Sequence, residues 1–297
     1  MKYLIVNADD FGLTAGVNRA VIEAHTRGIL TSTTIMANMP AFDEAAQLAK
    51  EHPSLGVGLH FNITQGRPVA PASEVSSLLN AQGEFPETST ALLRRALTGN
   101  LKISQIELEL RAQIERVLNA GLRLTHIDSH KHSHALPPVC ETITRVIGDY
   151  GIKAVRLPRE RWRFPGLDST AKQITQSLAA FGLAQLCRVG ESALRKSGVR
   201  TPDSFLGVSQ TGFWTKRWLL ELIESLPAGV SELMSHPGYD DQELGRVKTR
   251  LRASRQSEFQ LLIDGKVIAA IRQSNVKLIT YAQLSDPDSM GLENIKS

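Results

Sequence analysis

Cysteine is scarce in this chain: Cys140 and Cys187 stand far apart, and neither belongs to a Cys-x-x-Cys spacing. A disulfide framework and a thiolate zinc site are thereby excluded, and the pair suits a reducing compartment. No apolar run reaches the length of a membrane span, and the aliphatic stretch after Met1-Lys2-Tyr3 is too short for a signal peptide. The expected location is the cytoplasm. A Gly-x-x-x-x-Gly-Lys-Ser/Thr phosphate loop and a Gly-x-Ser-x-Gly elbow are both missing, and Gly56-Val57-Gly58 lacks the third glycine of a dinucleotide fingerprint. A metal is then the only cofactor that the residues suggest. Excess charge is also small, a net +4, and it gathers in two stretches. One holds Arg156, Arg159, Arg161 and Arg163; the other holds Arg246, Lys248, Arg250, Arg252 and Arg255. Both are read as solvated faces. No aromatics interleave with the second, so no nucleic-acid partner is expected.

With 297 residues, 42% of them hydrophobic, the chain buries a large core without staples. Short β-rich runs alternate with helical periods, the pattern of βα units around a parallel sheet. Strands are expected at 2–7, 30–37, 55–60, 124–129, 153–157, 203–208, 229–234 and 277–280. Between them Thr14 caps a helix that Gly28 stops, and Ile103, Ile106, Leu110, Ile114 and Val117 mark an amphipathic one. The stretch 248–273 reads as helical. Residues 65–100 read as an insertion over the site within a single 1–297 domain. Seven or eight such units point to an α/β chain forming one distorted, TIM-like (β/α) barrel of seven or eight strands.

Position supports the barrel. Asp9, Asp10, His60, Asp128, His130, Arg156 and His236 each fall at or just past the C-terminal end of an expected strand, where barrel sites are built. Four of the eight histidines lie within nine residues, at 126, 130, 132 and 134. Carboxylate and imidazole ligands suit a divalent ion such as Mg2+ or Zn2+, and Asp10, His60 and His130 supply them from three strand ends. An ion held there acidifies a water into a nucleophile. Asp9 is placed beside it as general base, and His236 as the acid opposite. If extended, the chain projects His126, Asp128, His130, His132 and His134 from one face. Asp128 is expected to orient a ligand imidazole, with His126, His132 and Arg156 as further contacts to the ligands or the substrate. Met36, Met39 and Phe42 are expected to pack the barrel, as are Trp162, Trp214 and Trp218.

Taken together, Asn7-Ala8-Asp9-Asp10-Phe11-Gly12-Leu13, Gly58-Leu59-His60-Phe61 with Gly66-Arg67-Pro68, Thr125-His126-Ile127-Asp128-Ser129-His130-Lys131-His132 and Ser235-His236-Pro237 resemble the YdjC-like (ChbG) carbohydrate deacetylases. The likeness runs in order from Lys2 to about Leu284. Lys131 departs from it, because chitooligosaccharide-active members carry a further histidine there. The resemblance implies a distorted barrel that removes an acetyl group from N-acetylated sugars with one divalent metal. It assigns Asp10, His60 and His130 as ligands, Asp9 as base and His236 as acid, and it suggests a homodimer. Lys153-Ala154-Val155-Arg156-Leu157-Pro158, Gly198–Gly207 and Gln210-Thr211-Gly212 are similar to the hopanoid-associated branch (HpnK). That likeness implies a glycolipid head group as substrate and a peripheral membrane contact, although no segment reads as amphipathic enough to anchor the chain. Two rival readings stand beside it: a metal-dependent hydrolase of a phosphoester or another amide, and a non-catalytic barrel that binds sugar or glycolipid.

Overall fold

The structure is a computed structural model that describes residues 1–86, 88–161 and 169–286. Trp162 and Arg163 lie outside the described residues. Seven parallel strands form one curled sheet in the order β4-β3-β2-β1-β6-β5, with β7 joined to the start of β1. They are β1 (Lys2–Phe11), β2 (Ser32–Ile35), β3 (Gly56–Phe61), β4 (Ile127–Ser129), β5 (Ser204–Leu206), β6 (Gly229–Ser235) and β7 (Val276–Leu278). Single bridges from Ile127 to Val155, Ala154 to Arg200 and Glu160 to Phe205 carry the curl from β4 round toward β5. The fold is thus the expected distorted (β/α) barrel. The strand expected at 153–157 shrinks to those bridges, because Pro158 has no N–H to donate and Arg159 turns back to bond the Leu157 carbonyl.

Around the sheet run α1 (Ala15–Arg27), α2 (Phe42–Glu51), α3 (Ser89–Leu97), α4 (Ile103–Asn119), α5 (Pro137–Val146), α6 (Ala171–Lys196), α7 (Lys216–Glu224), α8 (Gln242–Gly245), α9 (Ala253–Leu262), α10 (Gly265–Gln273) and α11 (Tyr281–Ser285). The Thr14 side chain accepts from Val17 N–H, the cap the sequence suggests. The helical stretch expected at 248–273 divides. Asp264 caps α10 by accepting from Lys266 and Val267, which ends α9 before it, while 248–252 is not helical.

Alternation along β1 explains how the strand positions a site. Leu4, Val6 and Ala8 face the helices and join the main core. Tyr3 and Ile5 point the other way, into a small interior cluster with Ala154, Val230, Ile279 and Tyr281. Asn7 and Asp9 continue that inward face with a period of two. Buried on both sides, β1 is a central parallel strand. Trp214 is buried against Trp218 with ring centroids 5.2 Å apart, and Met36 and Phe42 sit in the core. No helix among the described residues is long and apolar enough to cross a membrane.

Candidate metal centre

The interior face of the barrel turns from apolar to polar going up. Above the Tyr3 cluster lies His126, its ring stacked on Tyr281 at 3.7 Å and 8°. Gly58 makes this possible, since a Cβ there would stand 2.4 Å from the His126 ring. His126 Nε2 meets Asn7 Oδ1 at 3.2 Å, and Asn7 Nδ2 donates to Asp9 Oδ1 at 3.1 Å. Glu232 accepts from Tyr281 Oη on one oxygen and from Arg156 Nε at 2.8 Å on the other. Burial pushes the Glu232 carboxyl up to about 7 against the pull of Arg156.

Arg156 is fully buried and ties the layer together. Its two terminal nitrogens donate to Asp9 at 2.8 and 2.7 Å, and Nη1 also reaches Asp128 Oδ2 at 2.5 Å. Burial disfavours the Asp9 carboxylate, yet Arg156, then His60, holds its carboxyl well below the usual range. The expectation that this residue belongs to a solvated basic face is therefore wrong: the guanidinium is the counter-charge of three interior carboxylates.

Alternation alone would aim Asp10 away from Asp9. The pairing of β1 with β2 shifts between Ala8 and Phe11, and Asp10 has φ of 70°, a left-handed conformation that non-glycine residues seldom take. Both carboxylates consequently reach the mouth. Asp10 Oδ1 lies 3.3 Å from His60 Nε2 and 3.0 Å from His130 Nδ1. Asp10 Oδ2 accepts from Arg255 Nη2 at 2.5 Å. His60 Nδ1 stands 2.6 Å from Asp128 Oδ1, and Thr34 Oγ1 donates to Asp128 Oδ2 at 3.1 Å. Asp128 thus orients His60 and turns Nε2 toward Asp10. Burial opposes charge on His60, but Asp128 and then Asp10 push its imidazole up to about 10.

The chain departs from an extended course after Ser129. His130–Ala135 forms a tight 3-10 turn in which Lys131 (φ 52°) and His132 (φ 53°) are left-handed, a conformation costing about 1–2 kcal/mol per residue. The alternating histidine ladder is consequently not formed. His130 and His132 line the cavity. His134 turns back to bond Ser129 Oγ at 2.6 Å, and His126 stays in the layer below. Burial, reinforced by Arg156, pushes His132 down to about 3.

Across the cavity, His236 Nε2 faces Asp9 Oδ2 at 4.0 Å. The His236 N–H donates to Glu258 Oε2 at 2.6 Å, and that carboxylate lies 3.7 Å from His236 Nδ1. Arg255 and Glu258 are both buried in α9 and escape a reading of the sequence. The signal was there: two charges three residues apart in a stripe shared with Phe259 and Leu262. Arg255 in particular leaves the basic face it was assigned to and reaches Asp10.

A cavity of about 410 Å³ opens over Asp9, Asp10, His60, His130 and His236. A second, of about 380 Å³, shares Leu13, Gln65, Lys131 and Lys248 with it and is walled by Met39, Gly66 and Phe85. From the 65–86 stretch Gln65 thus lines the site's cavity, with Gly66, Glu84 and Phe85 on the one beside it, and Met39 borders a cavity as well as packing the barrel. The ligand atoms of Asp10, His60 and His130 lie within 4.8 Å of one another. His130 Nε2 is buried with no hydrogen-bond partner among the described residues. Asp10 offers a carboxylate and His60 and His130 two imidazoles, a donor set that suits a divalent ion. The residues present therefore fit a divalent ion. Asp9, His60 and Asp128 form a second compact group, but Arg156 already lies between its carboxylates.

Known proteins resemble this chain along nearly its whole length. A carbohydrate deacetylase of Geobacillus stearothermophilus is 38% identical over 285 residues, covering 95% of this chain and 98% of that protein. One from Thermoanaerobacter pseudethanolicus is 32% identical over 96% of this chain and the whole of its own length. A solved structure from Enterococcus faecalis V583, provisionally described as a cellobiose-phosphate cleavage protein, superposes with a TM-score of 0.74 at 27% identity, covering 95% of this chain and 98% of that one. The family model described as YdjC-like protein matches residues 3–273, and the chain belongs to that family.

Proposed function

We propose that this protein is a metal-dependent carbohydrate N-deacetylase, with Asp10, His60 and His130 as ligands, Asp9 as general base and His236 as general acid. The observation that carries the reading is the opposition of Asp9 Oδ2 and His236 Nε2 across the mouth of the Asp-His-His group. The name shared by the relatives, carbohydrate deacetylase, supplies the reaction class. A divalent ion at that group supplies Lewis acidity and lowers the pKa of water. The protein's own residues do the rest. Arg156 holds Asp9 ionised and in one orientation, so that a carboxylate oxygen accepts the proton of the attacking water. That water adds to the amide carbonyl. His236 Nε2 gives a proton to the departing nitrogen as the C–N bond breaks, leaving acetate and an amino sugar. His126 and Asn7 support Asp9 from below, and Asp128 keeps His60 in its tautomer.

Acetate release from a panel of N-acetylglucosamine compounds tests this. Metal-loaded protein releases acetate, chelated protein does not, and Asp9→Asn abolishes turnover while the metal stays bound. Phosphate release without acetate would move the reading to a different hydrolase. An active Asp9→Asn protein would remove Asp9 from the base role.

The finer reading is a glycolipid head group, as in the hopanoid branch. Its support is α6, whose exposed face carries Ile174, Leu178, Phe181 and Val189, while Gln176 of the same helix lines the cavity. Lys172 and Arg188 are exposed on that helix as well, an arrangement suited to an anionic membrane surface. Binding of the protein to anionic vesicles, lost in Leu178→Asp, is the expected result. A doubled solution mass that Leu178→Asp returns to one chain would instead make this face a homodimer contact. Both cysteines are free and buried, which supports the cytoplasmic placement.

A further inference from the structure

Arg255 holds a charged donor that no described residue uses. Its side chain is 1% exposed. Nη2 donates to Asp10 Oδ2, and Nε donates to the Leu251 carbonyl at 3.2 Å. Nη1 is buried and has no hydrogen-bond partner among the described residues, although Arg255 lines the cavity together with Asp10, His60 and His236. Buried guanidinium hydrogens left without an acceptor are costly, so they persist where an acceptor arrives with a ligand. The side chain is also built into its place. A Cβ at Gly238, two residues after His236, would stand 3.1 Å from Arg255 Cδ. The glycine of the His236-Pro237-Gly238 segment after β6 thus makes room for the arginine stem.

We propose that Arg255 binds substrate, with Nη1 donating a hydrogen bond to an acceptor oxygen of the acylated amino sugar while Nη2 keeps Asp10 in position. Nη1 shares its carbon with Nη2 and is therefore held beside the ligand carboxylate, in a side chain that lines the cavity. Lysine can keep the charge and one bond to Asp10, but it cannot supply the second arm of the fork. The inference rests on the deacetylase reading for the identity of the sugar, and a binding measurement keeps the two separable.

The test compares wild type, Arg255→Lys and Gly238→Ala, which crowds the arginine without removing it. The readouts are metal content, thermal stability, calorimetric binding of N,N′-diacetylchitobiose to chelated protein, and acetate release by loaded protein. In Arg255→Lys we expect metal content to be retained and sugar affinity and kcat/KM to fall by about ten- to a hundredfold, the worth of one hydrogen bond to a charged group. Gly238→Ala shifts both in the same direction. Wild-type sugar affinity and turnover in Arg255→Lys would overturn the proposal, and so would loss of the metal without a change in sugar affinity. If wild type releases no acetate, the deacetylase reading fails and the binding arm alone decides. The proposal then stands only if wild type binds the sugar and Arg255→Lys binds it more weakly.

Discussion

At the scale of single residues, the site is a problem in placing charge away from water. Arg156 is worth keeping buried because Asp9, Asp128 and Glu232 share it; breaking such a network by removing one partner costs about 3–5 kcal/mol. His60 shows what the remaining charge does. Burial should strip its proton, yet Asp128 and Asp10 hold it to about pH 10. A cation that ligates His60 must displace that proton, so the sign of the pH dependence follows. Below about pH 10 the metal-free imidazole is protonated, and metal affinity rises with pH by about tenfold per unit, with one proton released. Calorimetry in buffers of different ionisation enthalpy measures that proton. Binding at pH 7 without proton release would show that His60 is neutral before metal arrives. That Asp9, Asp10, His60, His130 and His236 meet at one cavity was legible in the sequence, because each is a polar group at a strand end. Arg255 and Glu258 were not, since a helix that carries basic residues on its approach reads as solvated until its buried stripe is inspected.

At the scale of elements, β1 and the turn after β4 do the positioning. β1 runs two carboxylates to one mouth only because its pairing slips and Asp10 adopts a positive φ. Period-two reasoning gives the inward set of Tyr3, Ile5, Asn7 and Asp9 but cannot give that slip. The histidine cluster misled for a similar reason. Its alternation suggests a strand, whereas two left-handed residues fold 130–135 into a turn and send His134 away from the site. The apolar face of α6 was hidden because apolar residues occupy both sides of that helix, with Ala180, Ala184 and Cys187 inward and Leu178 and Phe181 outward. One element carries a sharp prediction. The Gly58→Ala Cβ would press on a His126 ring that Tyr281, Thr125 and Asn7 hold in place. Such overpacking costs about 1–3 kcal/mol. Chemical denaturation should show that loss, and unchanged stability would mean that the His126 ring has room to move.

At the scale of the whole molecule, the barrel gathers residues spread from Asp9 to Glu258 at one end of the sheet, which is where an α/β barrel builds its chemistry. The alternation of β-rich runs and helical periods made that architecture readable from the sequence, with seven of the eight expected strands present. The closure by single bridges was not readable, since the segment around Ala154 has the composition of a strand and is stopped by Pro158. What the assembled molecule offers is a buried Asp-His-His group under an open cavity. A divalent ion that binds the native chain but not the unfolded one should raise its stability by about 2.7 kcal/mol at a hundred times its Kd. The most direct test of the account is a calorimetric metal titration of wild type and His130→Ala, both shown to be folded. One divalent ion per chain in wild type, and none in His130→Ala, is the predicted result. Stoichiometric binding that survives in His130→Ala would contradict the assignment of this centre.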